Sequence, residues 1–217
     1  MLTLYKISLS LAALVVLGFA GVCTWLFIYS GDLPDTSHLV EFAPGTQLPA
    51  LDSCLASPST AIPFDRLGKT VRDALGAAES PTSFPQQIAR SLMCNHTRGM
   101  GRYHLDNLRL SWHIRWRFSE QQVFAIYANR AYFGPGVTGV ENASRHFFRK
   151  DSDALNTEEA ALLAGLLRAP GFFSPSKHPE RAFQRRNQVL EAMVAQGKLS
   201  ASDAARAEAT PVTTAPQ

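Results

Sequence analysis

The chain has little of what defines several common classes of protein. Its 217 residues include three cysteines, and neither a close pair of cysteines nor a His-x-x-x-His spacing occurs, which excludes the usual structural zinc sites. No convincing run of alternating apolar and polar residues and no internal repeat is present, so β-sandwich and solenoid architectures are excluded. With 18% charged residues and a net charge of +3, the chain is only mildly basic.

A long stretch without any charged side chain runs from residue 7 to residue 31. A helix of about 20 apolar residues crosses the hydrocarbon core of a bilayer, so residues 7–30 are predicted to be a transmembrane anchor. Lys6 precedes the run and Asp32 follows it. By the positive-inside rule the N-terminus is then cytoplasmic, and a single pass through the inner membrane leaves the rest in the periplasm. The alternative is a cleaved signal peptide, whose apolar core is usually shorter.

The remaining chain is long enough for one domain with a core of its own. Residues 31–59 are rich in Asp, Pro, Ser and Thr and are predicted to be an extracytoplasmic lead-in to a domain at 60–209. The tail at 210–217 is predicted to be disordered, with nothing to bury. Cys54 and Cys94 lie on the oxidising side of the membrane and are a candidate disulfide, although two unrelated buried thiols are the alternative.

The signals within the domain are helical, which predicts an all-α fold. Ser119 with Gln122 and Asn156 with Glu159 have the spacing of capping boxes, and Gly197 is placed to end a helix. Helices are predicted over residues 64–79, 85–94, 102–118, 119–131, 156–170, 179–196 and 200–209.

The helix at 102–118 is the clearest amphipathic case. Its apolar stripe, which we expect to pack against the domain, consists of Leu105, Leu108, Trp112 and Trp116. The other face is basic: between positions 90 and 118 only Asp106 opposes a strip of arginines. Because this strip follows a predicted anchor and has no recognition motif beside it, anionic lipid headgroups fit it better than nucleic acid.

Three blocks between Phe124 and Leu190 carry a family resemblance. In order they are FAIYANRAYFGPGVTGVENASRHFF, EEAALLAGLLRAPGFFSP and RRNQVL. They resemble the family 51 glycosyltransferases, which polymerise peptidoglycan strands from lipid II. The resemblance covers about residues 60–208. It implies a lysozyme-like helical fold, inversion at the donor carbon, lipid II and the growing glycan strand as ligands, and cell-wall synthesis proteins as partners.

The resemblance also implies roles for individual residues. The helix that ends in DALGAAES places Glu79 where the family has its catalytic base, although an ordinary exposed glutamate at a helix end has the same spacing. The loop-forming glycines are Gly134, Gly136 and Gly139, which permit close backbone approach. The substrate contacts implied by the resemblance are Gln86, Gln87, Arg90, Asn129, Arg185 and Arg186. For Arg185 and Arg186 the alternative is a structural role, in which they hold the glycine loop.

The sequence departs from the family pattern upstream of these blocks. The family has a long mobile loop after its glutamate, whereas here only residues 80–85 separate Glu79 from Gln86. Asn107 lies where the family has a second glutamate, and an amide cannot take up a proton as a carboxylate does. These changes keep open a second hypothesis, a catalytically degenerate relative that binds lipid II, glycan strands or the synthesis machinery.

Two further expectations follow. Family members often need a divalent ion, but no ligand set for one is evident here, so the cofactor is left open. Catalysis requires Glu79 to face a groove shared with Gln86, Arg90 and Arg186. Lysozyme-type hydrolysis by Glu79 would need a second carboxylate, and none is evident nearby.

Overall fold

The computed structural model of the chain describes residues 15–25, Thr36, 61–93 and 100–215. Residues 15–25 form an exposed helical stretch. Within the described ranges no helix has both the length and the apolar character needed to span a membrane. The predicted anchor at 7–30 extends beyond this stretch on both sides, and Cys54 and Cys94 both lie outside the described residues.

In the described residues the regular structure is helical except for one hairpin, which agrees with the predicted predominance of helix. The expectation that strands are missing fails at a two-stranded antiparallel pair, β1 (Tyr132–Gly134) and β2 (Val137–Thr138). The α-helices are α1 (Lys69–Ala78), α2 (Phe84–Leu92), α3 (Met100–Arg117), α4 (Glu120–Arg130), α5 (Val140–Phe148), α6 (Thr157–Leu166), α7 (Pro179–Ala195) and α8 (Ala201–Ala209). Short 3-10 turns lie at Phe64–Arg66, Pro81–Ser83 and Ser152–Ala154.

The predicted helix ends are confirmed where side chains bond to the backbone. Ser119 and Gln122 form a reciprocal capping box at the start of α4, and Asn156 and Glu159 form another at the start of α6. These bonds satisfy backbone N–H groups that have no partner within the helix. Gly197 ends α7 with a φ of 67°, in the left-handed region that glycine adopts without strain.

The helices pack most densely in two groups. In the first, α6 lies against both α1 and α7, and α8 packs on α7. In the second, α2 lies against α3 and α4. The core that runs through both groups includes Leu75, Leu163 and Leu190 on the first side and Ile88 and Ile126 on the second. The short link from α1 to α2 therefore joins the two groups.

The predicted packing of α3 is wrong. Its apolar stripe of Leu105, Leu108, Trp112 and Trp116 is exposed, and the side that packs carries Asp106, Leu110 and Ile114. Leu110, Ile114 and Phe118 recur at steps of four and are all buried, so the helix has two apolar faces. Because α2 covers the face with Leu110 and Ile114, the tryptophan face is left outside. Asp106 is accommodated on the packed side by an ion pair with Arg109 at 3.1 Å.

The segment that follows α8 contains a buried residue. Val212 is buried in the core, which corrects the expectation that nothing beyond residue 210 packs. The backbone N–H of Ala215 donates to the carbonyl of Phe147 at 2.6 Å, so the segment is also tied to α5. Residues 211–215 have no regular secondary structure.

Candidate active site

Glu79 lies at the junction of the two helix groups. It follows the last residue of α1 and has an extended backbone, with φ −133° and ψ 140°. Its half-buried carboxylate accepts a hydrogen bond from Nε2 of Gln87 at 3.1 Å. The same nitrogen donates to Oγ of Ser83 at 3.1 Å, and Ser83 Oγ donates to the carbonyl of Ser80 at 2.7 Å. The short link thus lets Gln87 of α2 reach back to the end of α1 and orient the Glu79 side chain.

Two arginines lie on the first-group side of this carboxylate. Burial and the neighbouring Arg168 lower the pKa of Arg185, whereas Glu79 raises it, which places the three groups in one electrostatic neighbourhood. Close packing of α6 on α7 makes this possible: a Cβ on Gly165 would come within 3.0 Å of Cγ of Arg185. Arg168 follows Gly165 by three residues and is exposed. The site therefore has positive charge beside Glu79.

Tyr127 forms the second-group side of the same neighbourhood. Its ring is buried and stacks on Phe84, with the ring centroids 4.3 Å apart. Burial raises the pKa of the Tyr127 phenol, and the charge of Glu79 raises it further. The hydroxyl is buried and has no hydrogen-bond partner in the described parts of the chain. It is therefore a neutral donor held close to Glu79.

The arrangement has the parts needed to move a proton and to stabilise an anion. One oxygen of Glu79 is held by Gln87, and in the described residues nothing hydrogen-bonds the other, Oε1. A carboxylate in this state accepts a proton from a hydroxyl placed against it. Guanidinium groups such as those of Arg185 and Arg168 bind diphosphate oxygens through charge-assisted hydrogen bonds.

The structure brings together only some of the residues singled out from the sequence. Gln87 bonds to Glu79, but Gln86 is exposed on another face of α2. Arg90 is exposed one turn beyond Gln87 on the same helix. Of the adjacent pair on α7, Arg185 and not Arg186 has a pKa that the charge of Glu79 raises. Gln87 and Arg185, in place of Gln86 and Arg186, are therefore the residues that accompany Glu79.

Asn129 has a structural role in place of the expected substrate contact. Its side chain is completely buried, and its amide oxygen accepts from the backbone N–H of Ile62 at 2.9 Å. Its nitrogen donates to the carbonyls of Ile62 and Ala125, each at 2.8 Å. Both donors and the acceptor are used, so Asn129 ties the start of the domain to α4 and leaves no group for a ligand.

Arg186 is likewise used inside the fold. It is 5% exposed and donates to the carbonyls of Glu208 and Thr210, at 2.8 and 3.1 Å. Its Nε donates to the side-chain oxygen of Asn187 at 3.0 Å. These bonds satisfy carbonyls at the end of α8, so Arg186 holds that helix and neither the glycine loop nor a ligand.

The glycine loop forms the hairpin and leads into α5. Gly134, Gly136 and Gly139 have φ values of 144°, 75° and 85°. Gly139 combines its positive φ with a ψ of 142°, a backbone conformation that is almost confined to glycine. Its N–H donates to the carbonyl of Ala131 at 2.9 Å, which closes the loop over the end of α4.

The sequence reasoning missed Arg168 and Tyr127 as members of this neighbourhood. Both lie inside blocks that carried the resemblance, Arg168 in LLRAP and Tyr127 in IYAN. Their positions inside these blocks indicate that both residues matter to the family. The spacing of the blocks along the sequence does not predict that they lie near Glu79. Their proximity to the site depends on how α6 and α4 pack.

Asn107, one of the departures from the family pattern, lies on α3. Asn107 is half-buried, and its buried Nδ2 has no hydrogen-bond partner in the described chain. Within the described ranges, no three His, Cys, Asp or Glu side chains converge as a metal site would require.

Comparison with known proteins gives this geometry a context. The model of the transglycosylase family matches residues 81–194, more than half of the chain. The match includes Gln87, Arg168 and Arg185 and begins two residues after Glu79.

Individual relatives agree with the family match. Penicillin-binding protein 1A of Aquifex aeolicus is 38% identical over 119 residues, which are 55% of this chain and 16% of the relative. Penicillin-binding protein 1F of Bacillus subtilis is 32% identical over 145 residues, 65% of this chain and 20% of the relative. The chain thus spans a fifth or less of the length of these two relatives. The crystal structure of penicillin-binding protein 1A from Haemophilus influenzae is similar with a TM-score of 0.49 and 20% identity, over 72% of this chain and 18% of that one.

Proposed function

Because this chain belongs to the transglycosylase family, we propose that it is a peptidoglycan glycosyltransferase that polymerises lipid II into glycan strands during cell-wall synthesis. The observation that carries the proposal is the position of Glu79, bonded to Gln87 and beside Arg185. The residue types match the chemistry, which needs a base for a sugar hydroxyl and cations for a departing diphosphate.

In the proposed reaction Glu79 is the general base. Its carboxylate takes the proton of the acceptor hydroxyl while the hydroxyl oxygen forms a bond to C1 of the donor sugar. The bond between C1 and the diphosphate oxygen breaks, and the lipid diphosphate leaves with the electron pair. Gln87 keeps the carboxylate oriented through its hydrogen bond to one oxygen.

Arg185 and Arg168 stabilise the charge that develops on the leaving diphosphate. Arg90 extends this cationic surface along α2, where it is exposed to solvent. Tyr127 remains protonated because burial and Glu79 raise the pKa of its phenol. It therefore stays neutral beside Glu79 and does not compete as a base.

We also propose that residues 7–30 anchor the chain in the inner membrane, with the N-terminus in the cytoplasm and the domain in the periplasm. The uncharged run from 7 to 31 and the exposed helical stretch at 15–25 support this location. Lipid II is itself a membrane lipid, so an anchored enzyme meets its substrate at the membrane surface.

The test is polymerisation of labelled lipid II by the full chain in detergent. Glu79→Gln should lower the rate by at least about a hundredfold, because the amide cannot accept the proton. Glu191→Gln, which changes an exposed glutamate on α7, is the matched control and should retain the rate. A Glu79→Gln variant as fast as the unchanged chain would rule out the proposed base.

A second candidate is an accessory protein that binds lipid II or glycan without joining sugars. The observation that favours it is the unpartnered amide of Asn107, where the resemblance places a second glutamate. If this candidate is right, the unchanged chain binds lipid II but forms no polymer. Asn107→Glu should then produce polymer, since it restores a carboxylate at that position.

A further inference from the structure

A cavity of about 440 Å³ opens beside the link between α1 and α2. The apolar part of its wall is mainly aromatic and includes the rings of Phe64, Phe84, Phe118 and Phe124. The ring of Phe124 meets those of Phe64 and Phe84 edge to face, with the centroids 5.8 and 5.5 Å apart. A pre-formed apolar cavity of this size is typical of binding sites for small organic molecules.

The polar part of the wall is basic. Its cations are Arg72 of α1, Arg115 of α3 and Lys198, which follows α7. Glu120 is the one acid among the described residues of the wall, and it forms no ion pair with any of the three cations. An excess of positive charge around an apolar cavity attracts an anion.

Lys198 is a cation without a protein partner. Its side chain is half-buried, and its ammonium group has no hydrogen-bond or ion-pair partner among the residues that the structure describes. A Cβ on Gly76 would lie 2.9 Å from Nζ of Lys198, so the bare backbone of α1 leaves room for this side chain. A partly desolvated ammonium group is stabilised by an anion that accepts its hydrogen bonds.

Arg72 is held in place before any ligand binds. Its Nη1 donates to the carbonyl of Phe64 at 3.2 Å, and its guanidinium group lies over the Phe64 ring, 4.7 Å from the centroid. A guanidinium group has five N–H donors, and the bond to Phe64 uses one of them. A cation that is already ordered binds an anion at a lower entropic cost.

The cavity adjoins the candidate active site without being part of it. Glu79 and Gln87 are not among the described residues that line the cavity, whereas Pro81 and Thr82 of the link are. The next residue of the link, Ser83, accepts a hydrogen bond from the same nitrogen of Gln87 that donates to Glu79. A molecule in the cavity therefore contacts the link that orients Glu79.

We propose that this cavity binds a small anionic molecule with an apolar body, and that the bound molecule alters glycosyl transfer through the link. The apolar body packs against the phenylalanine rings. The acidic group, a carboxylate or a phosphate, binds Lys198 and Arg72. The effect on glycosyl transfer rests on the proposed function, whereas the binding does not.

The test of binding is a fluorine NMR titration of the full chain in a neutral detergent, with protein-free micelles as the blank. The probe is phenylbutyrate with a fluorine atom on its ring, and we expect saturable binding. Phenylbutanol with the same ring lacks the charge and should bind at least about fivefold more weakly. Phenylbutylphosphonate is titrated as well, and the tighter of the two anions shows whether the site prefers a carboxylate or a phosphate.

Two lysine variants locate the binding. Lys198→Met should weaken the binding of both anions at least about fivefold and leave that of phenylbutanol unchanged, because it removes a charge and keeps an apolar side chain. Lys177→Met, which changes an exposed lysine outside the cavity wall, is the matched control and should bind all probes as the unchanged chain does. The proposal is overturned if neither anion binds saturably, if phenylbutanol binds as tightly as phenylbutyrate, or if the two variants lose equal affinity.

Polymerisation of labelled lipid II tests the action through the link. Phenylbutyrate, at a concentration that fills the cavity, should change the rate at least about twofold in the unchanged chain and in Lys177→Met but not in Lys198→Met. An unchanged rate, or the same change in Lys198→Met, contradicts this action. A chain that binds the probe but never forms polymer contradicts the proposed function and not the binding site, so the two failures are distinguishable.

Discussion

Arg185 and Arg186 are adjacent in the chain, yet their side chains enter different surroundings. One residue step turns a helical side chain by about 100°, so Arg185 faces Glu79 and Arg186 faces the end of α8. We expect Arg185→Gln to lower lipid II polymerisation at least about tenfold with little loss of stability. We expect Arg186→Gln to lower the free energy of unfolding by about 2 kcal/mol, because it leaves the partly buried carbonyls of Glu208 and Thr210 without this partner.

Each arginine is the control for the other. Polymerisation rates and thermal unfolding in detergent, measured on both variants, give a crossed pattern if the two roles are separate. Hydrogen exchange adds a local check, since Arg186→Gln should speed exchange in Ala201–Ala209 while Arg185→Gln should not. Equal effects of the two substitutions on both quantities would contradict the assignment.

The sequence could not decide which of these two arginines faces the site. The motif RRNQVL marks both, but orientation depends on the packing of α7 against α6 through Gly165. Asn129 illustrates the same limit: the motif identified an important residue, whereas its burial and its bonds to Ile62 show why it matters. A motif indicates that a side chain is constrained and does not say by what.

The turn between β2 and α5 depends on the backbone of one glycine. Gly139 has a φ of 85° and a ψ of 142°, which an alanine adopts only with strain. We therefore expect Gly139→Ala to lower the free energy of unfolding by about 1–3 kcal/mol. Thermal unfolding in detergent measures the effect.

Gly171→Ala is the matched control for this turn. A Cβ on Gly171 would meet nothing within 4 Å, and its φ is not positive in the range that favours glycine. The substitution should therefore change stability by no more than a few tenths of a kcal/mol. An equal loss in the two variants would mean that the backbone of Gly139 is not the cause.

Helix ends were the most predictable elements, and helix faces were less so. The capping boxes at Ser119 and Asn156 are contacts over three residues, so their spacing in the sequence contains the whole interaction. The face that α3 buries depends on α2 and α4, which supply the covering surface. Because α3 has two apolar faces, a periodicity argument selected the one with the larger side chains, and packing selected the other.

The position of the site follows from how the whole chain is arranged. Glu79 belongs to the link between two helix groups, and its neighbours come from α2, α4, α7 and the turn after α6. The family resemblance singled out Glu79 as a base and Gln87 as a substrate contact, and the structure shows that Gln87 hydrogen-bonds to Glu79. The sequence reasoning missed Tyr127 because its approach to Glu79 requires the two groups to be assembled, and it missed Arg168 because that residue is brought to Arg185 by the packing of α6 on α7.

The segment that follows α8 also packs against the assembled helices. Val212 is buried, Thr210 accepts a hydrogen bond from Arg186, and Ala215 donates to Phe147, so one short segment contacts α5 and α7 together. We expect Val212→Ser to lower the free energy of unfolding by about 1–3 kcal/mol, since it removes apolar contact and buries a hydroxyl. Thr213→Ala, at an exposed neighbouring position, should have almost no effect on thermal unfolding. If both variants unfold at the temperature of the unchanged chain, the segment contributes nothing to the core and Arg186 alone holds α8.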